Sequence, residues 1–176
     1  MPYSPLFTRR SIRSYTGEPV SDAELSCILD AVHAAPVGMA AFDSLHVTVV
    51  RNPSFLSALD AAAAQALNRP GAHPLYGAPM LIIVSSRFPG TPNENSAYSN
   101  AAIAVHNMSL ACVQLGVGSC LIWGAIRALN KQPEMLSQLN LPENFVPCCA
   151  LTVGKTEETY SPRAVNRSRV AVDYLD

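Results

Sequence analysis

Apolar positions recur along the chain with two periods, and the switches between them mark the elements. Ser21-Asp-Ala-Glu24 has the form of a capping box, and Leu25, Ile28, Leu29 and Val32 follow at the i, i+3, i+4, i+7 spacing of one helix face. The spacing predicts a helix from Asp22 to Ala34 that stops before Pro36. Leu45 to Val50 carries Val47, Val49 and Val50 around Thr48, a β-branched run that suits a strand. Asn52 can cap a second helix with Pro53 at its first position, and the alanine-rich stretch to Leu67 propagates it. Met80-Leu-Ile-Ile-Val84 is short and apolar throughout, as expected of a central strand buried on both faces. Ser96 to Leu115 is the longest helical window, ended by Gly116. Its apolar residues occupy most faces, which suits a core or a subunit interface. A short strand around Cys120 to Ile122, helical segments between Ala125 and Asn140, and a strand from Phe145 to Val153 complete the pattern.

Arg69 to Pro74 and Arg87 to Asn95 read as loops within one domain, and Arg87 to Asn95 is the one candidate lid. The tail, Thr156 to Asp176, is polar, arginine-bearing and too poor in apolar residues to fold alone. It must dock on another surface, and a neighbouring subunit is one candidate. A single domain of 176 residues, with a core over 1–155 and a docking tail over 156–176, is therefore expected.

Composition narrows the function. No stretch approaches the roughly 20 uninterrupted apolar residues of a membrane span, and the opening Met1 to Pro5 has neither a basic nor an apolar signal region, so a cytoplasmic protein away from membranes is expected. A net charge of -1 with no basic block argues against nucleic acid as a partner. Charged residues are only 14% of the chain, against roughly 25% in an average soluble protein. Burying apolar surface in a homo-oligomer is the simplest remedy, and a partly apolar, poorly soluble surface is the alternative. The five cysteines are odd in number and lack C-x-x-C spacing, so a disulfide framework is not expected. Cys148 and Cys149 read as core thiols, with a redox pair as the weaker reading. His33, His46, His73 and His106 form no helical pair, and no metal site is expected.

The chain contains no G-x-G-x-x-G after its first strand, no G-x-S-x-G and no paired carboxylates on a helix face. What stands out is Arg9-Arg10-Ser-Ile-Arg13, three guanidinium groups and a hydroxyl within five residues of a charge-poor chain. Like charges crowded in this way are relieved by an anion between them; a solvated helix end is the other reading. A second cluster, Arg163 with Arg167-Ser-Arg169, lies in the tail, and the two clusters could close on one phosphate.

At this point the chain resembles the FMN-dependent nitroreductases from Phe7 to Tyr174. Arg9-Arg10-Ser-Ile-Arg13-Ser-Tyr15 is similar to the family's opening R-R-S-x-R-x-F motif, and Ala35-Pro36-Val37-Gly38 to its A-P-S-G turn. Tyr76-Gly-Ala-Pro79, Asn107-Met108, Leu115-Gly-Val-Gly-Ser-Cys120 and Val146-Pro147 to Gly154 follow in the family's order. Met39, Ala40, Phe42, Asp43 and Ser44 depart from the usual loop after the turn, and the long insertion of larger members is missing.

The resemblance implies an α+β fold, a central mostly antiparallel sheet flanked by helices. It also implies an intertwined homodimer with exchanged C-terminal tails and FMN at the interface. By that resemblance Arg9, Arg10, Ser11 and Arg13 hold the ribityl phosphate and the pyrimidine end of FMN, and Arg167 and Arg169 complete the phosphate site. Pro36, Val37 and Gly38 contact the flavin from the other subunit, and the strand end at Ile122, Trp123 and Gly124 offers a backbone N–H to flavin N5. Trp123 is either a pocket wall or an interface aromatic. The implied activity is reduction of nitroaromatics, quinones or related small-molecule acceptors by NADH or NADPH in a ping-pong cycle, with no catalytic side chain. A flavin-binding protein without turnover is the alternative, and a non-flavin domain binding an acidic partner a third.

Overall fold

The apolar run beginning at Met80 lies at the centre of a sheet, as its lack of polar positions requires. A computed structural model describes residues 4–88 and 94–175. Four strands, β1 (Leu45–Val50), β2 (Met80–Arg87), β3 (Gly118–Ile122) and β4 (Phe145–Gly154), are ordered β1-β2-β4-β3 with every neighbouring pair antiparallel. Side-chain alternation along β2 feeds two cores. Met80, Ile82 and Val84 face one, which contains residues of α2 (Asp22–His33) and α4 (Glu94–Gln114). Leu81 and Ile83 face the other, shared with α3 (Pro53–Ala66) and α5 (Gly124–Leu129). Two short helices, α1 (Pro5–Thr8) and α6 (Pro133–Ser137), complete the fold, and α6 packs Met135 and Leu136 against the second core.

Local chemistry sets the boundaries. Ser21 and Glu24 close the anticipated capping box at the start of α2, and Asn52 caps α3 through the backbone N–H of Phe55. β3 begins at Gly118, two residues before the predicted start, because Gly118 pairs with Gly154 of β4. A Cβ on Gly154 would lie 2.6 Å from Pro79 Cδ, so only glycine lets that edge pack. In the middle of the sheet Val84 opposes Cys149 while Ser85 opposes Pro147, leaving Cys148 in a bulge. Proline brings no ladder N–H, and the bulge allows Cys148 and Cys149, though adjacent, to enter the same core.

Helix α4 turns Ala101, Ala104, Val105, Met108 and Cys112 into the core, while Ile103, Leu110 and Val113 remain half-buried and His106 exposed. Beyond β4 the chain runs back along its own beginning. Thr156 Oγ1 donates to Ser14 O at 2.8 Å, Tyr160 Oη to Val117 O at 2.7 Å, and Arg163 N to Phe7 O at 3.3 Å. Past Arg163, Val165, Val170, Val172, Tyr174 and Leu175 are all exposed on the single chain. Most of the lid predicted over Arg87 to Asn95 falls outside the described residues. Among the described residues no helix is long and apolar enough to cross a membrane.

Candidate functional site

Pro5 starts α1 under a Ser4 cap, and the helix ends after one turn at Arg9, whose ψ of 132° turns the chain extended. The next residues are pinned by their single apolar member. Ile12 is fully buried, and its N–H donates to Ser119 O of β3 at 2.9 Å. Its side chain needs Gly118, because a Cβ there would lie 3.0 Å from Ile12 Cγ2. Tyr15 locks the segment from below: its hydroxyl donates to Ile12 O at 3.1 Å and meets Thr152 Oγ1 at 2.8 Å, and burial raises its pKa well above the usual phenol range.

With Ile12 inward, Arg9, Arg10 and Ser11 sit half-buried and Arg13 is exposed. Arg10 Nη2 donates to Ser161 Oγ at 2.8 Å, so the arginine segment and the tail are joined directly. Its Nε is buried with no hydrogen-bond partner. Arg13 Nε donates to the Tyr76 hydroxyl at 3.3 Å, and its guanidinium carbon lies 5.6 Å from the Tyr76 ring centroid. The charge of Arg9 helps to lower the His106 pKa, where partial desolvation is the larger cause. Burial pushes the Tyr160 phenol up to about 12 against the weaker opposing pull of Arg9.

The ion pairs lie elsewhere. Among the described residues carboxylates pair with Arg51, His73, Arg87 and Lys155. None pairs with Arg9, Arg10, Arg13, Arg163, Arg167 or Arg169, so no direct ion pair among the described residues neutralises either predicted cluster. Arg163 and Arg169 line a pocket of about 400 Å³ with Leu6, Phe7 and Asn166, directly before Arg9 in the fold. Arg167 is exposed on the short turn Arg167–Arg169, capped by Asn166.

The other predicted residues form two separate groups. Ile122 is buried at the end of β3, and Trp123, 47% exposed, leads into Gly124 at the start of α5. Ser119 and Ile122 are three residues apart on β3, so the arginine segment and the strand end lie about 10 Å apart along it. Val37 is buried while Pro36 and Gly38 are exposed, and the Gly38 N–H donates to Asn100 Oδ1 of α4 at 2.9 Å. No hydrogen bond among the described residues joins this turn to residues 9–13. The loop then passes through Met39 and Ala40 at φ 56° and 52°, with Met39 98% exposed.

Sequence reasoning missed Tyr76, Asn100 and Ser161. Each acts through a partner 62 to 151 residues away; the available signals were the Tyr76-Gly-Ala-Pro79 segment, which carried no role, and a polar Asn100 inside an apolar helix. Cys148 and Cys149 add no nucleophile to the site: burial pushes their thiols up to about 11 and about 12.

A family model described as the nitroreductase family matches residues 6–155. A protein of Methanothermobacter thermautotrophicus, provisionally named an NADH dehydrogenase/NAD(P)H nitroreductase, is 30% identical over 164 residues, covering 89% of this chain and 78% of that protein. A crystal structure of a nitroreductase with bound FMN from Bacteroides fragilis superposes with a TM-score of 0.78 at 26% identity, covering 97% of each chain. One from Desulfitobacterium hafniense, also with bound FMN, reaches a TM-score of 0.82 at 22% identity over 100% of both chains.

Proposed function

The chain belongs to the nitroreductase family, and from that premise we propose that it is an FMN-dependent oxidoreductase driven by NADH or NADPH. The observation that carries this reading is the set of unpaired guanidinium groups around residues 9–13, with the buried Arg10 Nε lacking a partner. A buried cationic donor is costly unless an acceptor reaches it, and a phosphate monoester brings charge and acceptor oxygens together.

In this reading Arg9, Arg10 and Ser11 hold the ribityl phosphate, Arg167 and Arg169 close on it from the tail, and Arg13 takes the pyrimidine end. Ile122, Trp123 and Gly124 border the flavin ring and supply a backbone N–H toward N5. Pro36, Val37 and Gly38 reach the flavin of a second copy, consistent with the absence, among the described residues, of a hydrogen bond from that turn to residues 9–13. FMN, when bound, supplies the two-electron chemistry between a nicotinamide donor and a conjugated acceptor such as a nitroaromatic or quinone. Donor and acceptor occupy the same place in turn, which is ping-pong behaviour and requires no protein nucleophile. The protein's tasks are to place positive charge where electron density accumulates and to keep the ring accessible from one side. A homodimer is the assembly, with residues 1–155 as the core and 156–176 as the tail, of which the part past Arg163 reaches a partner while 156–163 stay on their own chain. The cytoplasm, where NADH and NADPH are available, is its place of work.

The purified protein is expected to be yellow, or to become so with added FMN. Anaerobic NADH or NADPH should bleach the band near the visible flavin maximum, and a quinone or nitroaromatic should restore it. A colourless protein that ignores FMN would overturn the proposal. The exposed, left-handed Met39-Ala40 loop favours one second reading, in which FMN is held but no nicotinamide site is completed. A yellow protein whose spectrum ignores both nicotinamides would decide for it.

A further inference from the structure

The turn that carries Tyr76 has no role in the assignments above, yet it is tightly constrained. Tyr76 and Gly77 follow one another in the left-handed region at φ 57° and 70°, a conformation that glycine adopts freely and tyrosine does not. Four hydrogen bonds hold it there. The Tyr76 N–H donates to His73 O at 2.8 Å and the Ala78 N–H to Leu75 O at 3.1 Å. From α3, Asp60 accepts from Leu75 N at 2.7 Å with one carboxylate oxygen and meets His73 Nδ1 at 2.8 Å with the other. A strained residue persists only where its surroundings over-determine it, and such residues cluster at functional sites.

What the strained backbone achieves is the aim of the phenol. The Tyr76 oxygen accepts the Arg13 Nε–H and the ring lies beneath the guanidinium. A guanidinium has five N–H groups; this contact uses the one on Nε and leaves the four on the Nη atoms free. An exposed arginine ordinarily samples many rotamers, and a ligand must freeze them on binding. From this geometry we infer that Tyr76 is a positioning residue: it pre-orients Arg13 for the electron-rich pyrimidine end of the cofactor, and Asp60 fixes the turn from behind. The inference rests on the FMN reading above and adds to it a residue that makes the cation selective for the reduced cofactor, because a fixed charge stabilises added electron density better than a wandering one.

The test has an apo and a loaded arm. In the apo protein the Arg13 Nε–H proton, assigned by its loss in Arg13→Lys, should exchange slowly with water, and Tyr76→Phe should make it exchange fast. In the loaded arm, oxidised and reduced FMN are titrated into wild type, Tyr76→Phe, Arg13→Ala and the double variant. Tyr76→Phe is expected to weaken oxidised FMN about three- to tenfold, the range of one hydrogen bond, and reduced FMN by more. In the double variant the Tyr76 change should add nothing to the loss caused by Arg13→Ala, which separates positioning from damage to the fold. Additive losses, equal losses for both redox states, or an unchanged Nε–H exchange rate in Tyr76→Phe would overturn the inference while leaving the FMN reading intact. Wild type that takes up no FMN would overturn both.

Discussion

Arg13 and Arg169 carry the same charge, but their surroundings give them different work. Arg13 is fixed on Tyr76 beside β3, whereas Arg169 lines a pocket against Leu6 and Phe7. If Arg13 faces the flavin and Arg169 its phosphate, only Arg13 meets a charge that changes on reduction. Replacing either by Ala should weaken FMN binding by about 1.5–3 kcal/mol, the scale of a hydrogen bond to a charged group. Only Arg13→Ala should also lower the flavin potential. Potentiometric titration of both variants, saturated with FMN, checks the contrast, and equal potentials would reduce Arg13 to another phosphate ligand. The arginines were legible in the sequence because five crowded residues reveal themselves by charge alone. The roles of Tyr76 and Ser161 were not, because a Tyr in a family-like segment or a lone Ser acquires its partner only when folding brings it to an arginine 63 or 151 residues away.

The elements most legible in the sequence were those stabilised by local chemistry, and α2 is the example: its capping box is written in Ser21 and Glu24 and is present in the structure. What the sequence did not reveal is that Glu24 works in two elements at once. One carboxylate oxygen accepts from the Ser21 N–H at 2.8 Å while the other pairs with Lys155 at the end of β4. Lys155 first, then the Ser21 backbone, holds the Glu24 carboxyl at about 2, below its ordinary 4.5. A pKa depressed by folding means that the ionised form favours the folded chain. The contribution is complete above about pH 4.5 and drains away as pH falls toward 2. Urea melts should find wild type more stable than Glu24→Gln by about 1 kcal/mol at pH 7, since a partly exposed pair is worth little more. The gap should narrow below pH 4.5 and close near pH 2. A gap independent of pH would mean that the glutamate acts through packing alone. The bulge at Cys148 was illegible for a related reason: Pro147 announces an irregularity, but where the sheet absorbs it depends on register with β2, which is a property of two strands together.

For the molecule as a whole, the low charge and the long apolar helix pointed to assembly before any fold was known, and the exposed apolar positions past Arg163 agree with it. Because residues 156–163 are hydrogen-bonded to their own chain, deleting 164–176 removes the free part of the tail and leaves the internal contacts in place. Size-exclusion chromatography with light scattering should then show monomer or aggregate in place of a dimer; a soluble, FMN-loaded dimer would rule out tail exchange. The hydrogen bond from Arg10 to Ser161 joins the arginine segment to the internally held stretch from which the free part of the tail departs. If FMN settles the arginines and, through Ser161, the departure of the free tail toward a partner, cofactor uptake and subunit association would be two readings of one linked equilibrium. Linkage is reciprocal: dilution should loosen the flavin by the same factor by which flavin tightens the dimer, and the protein would carry its cofactor only at concentrations where it also keeps its partner.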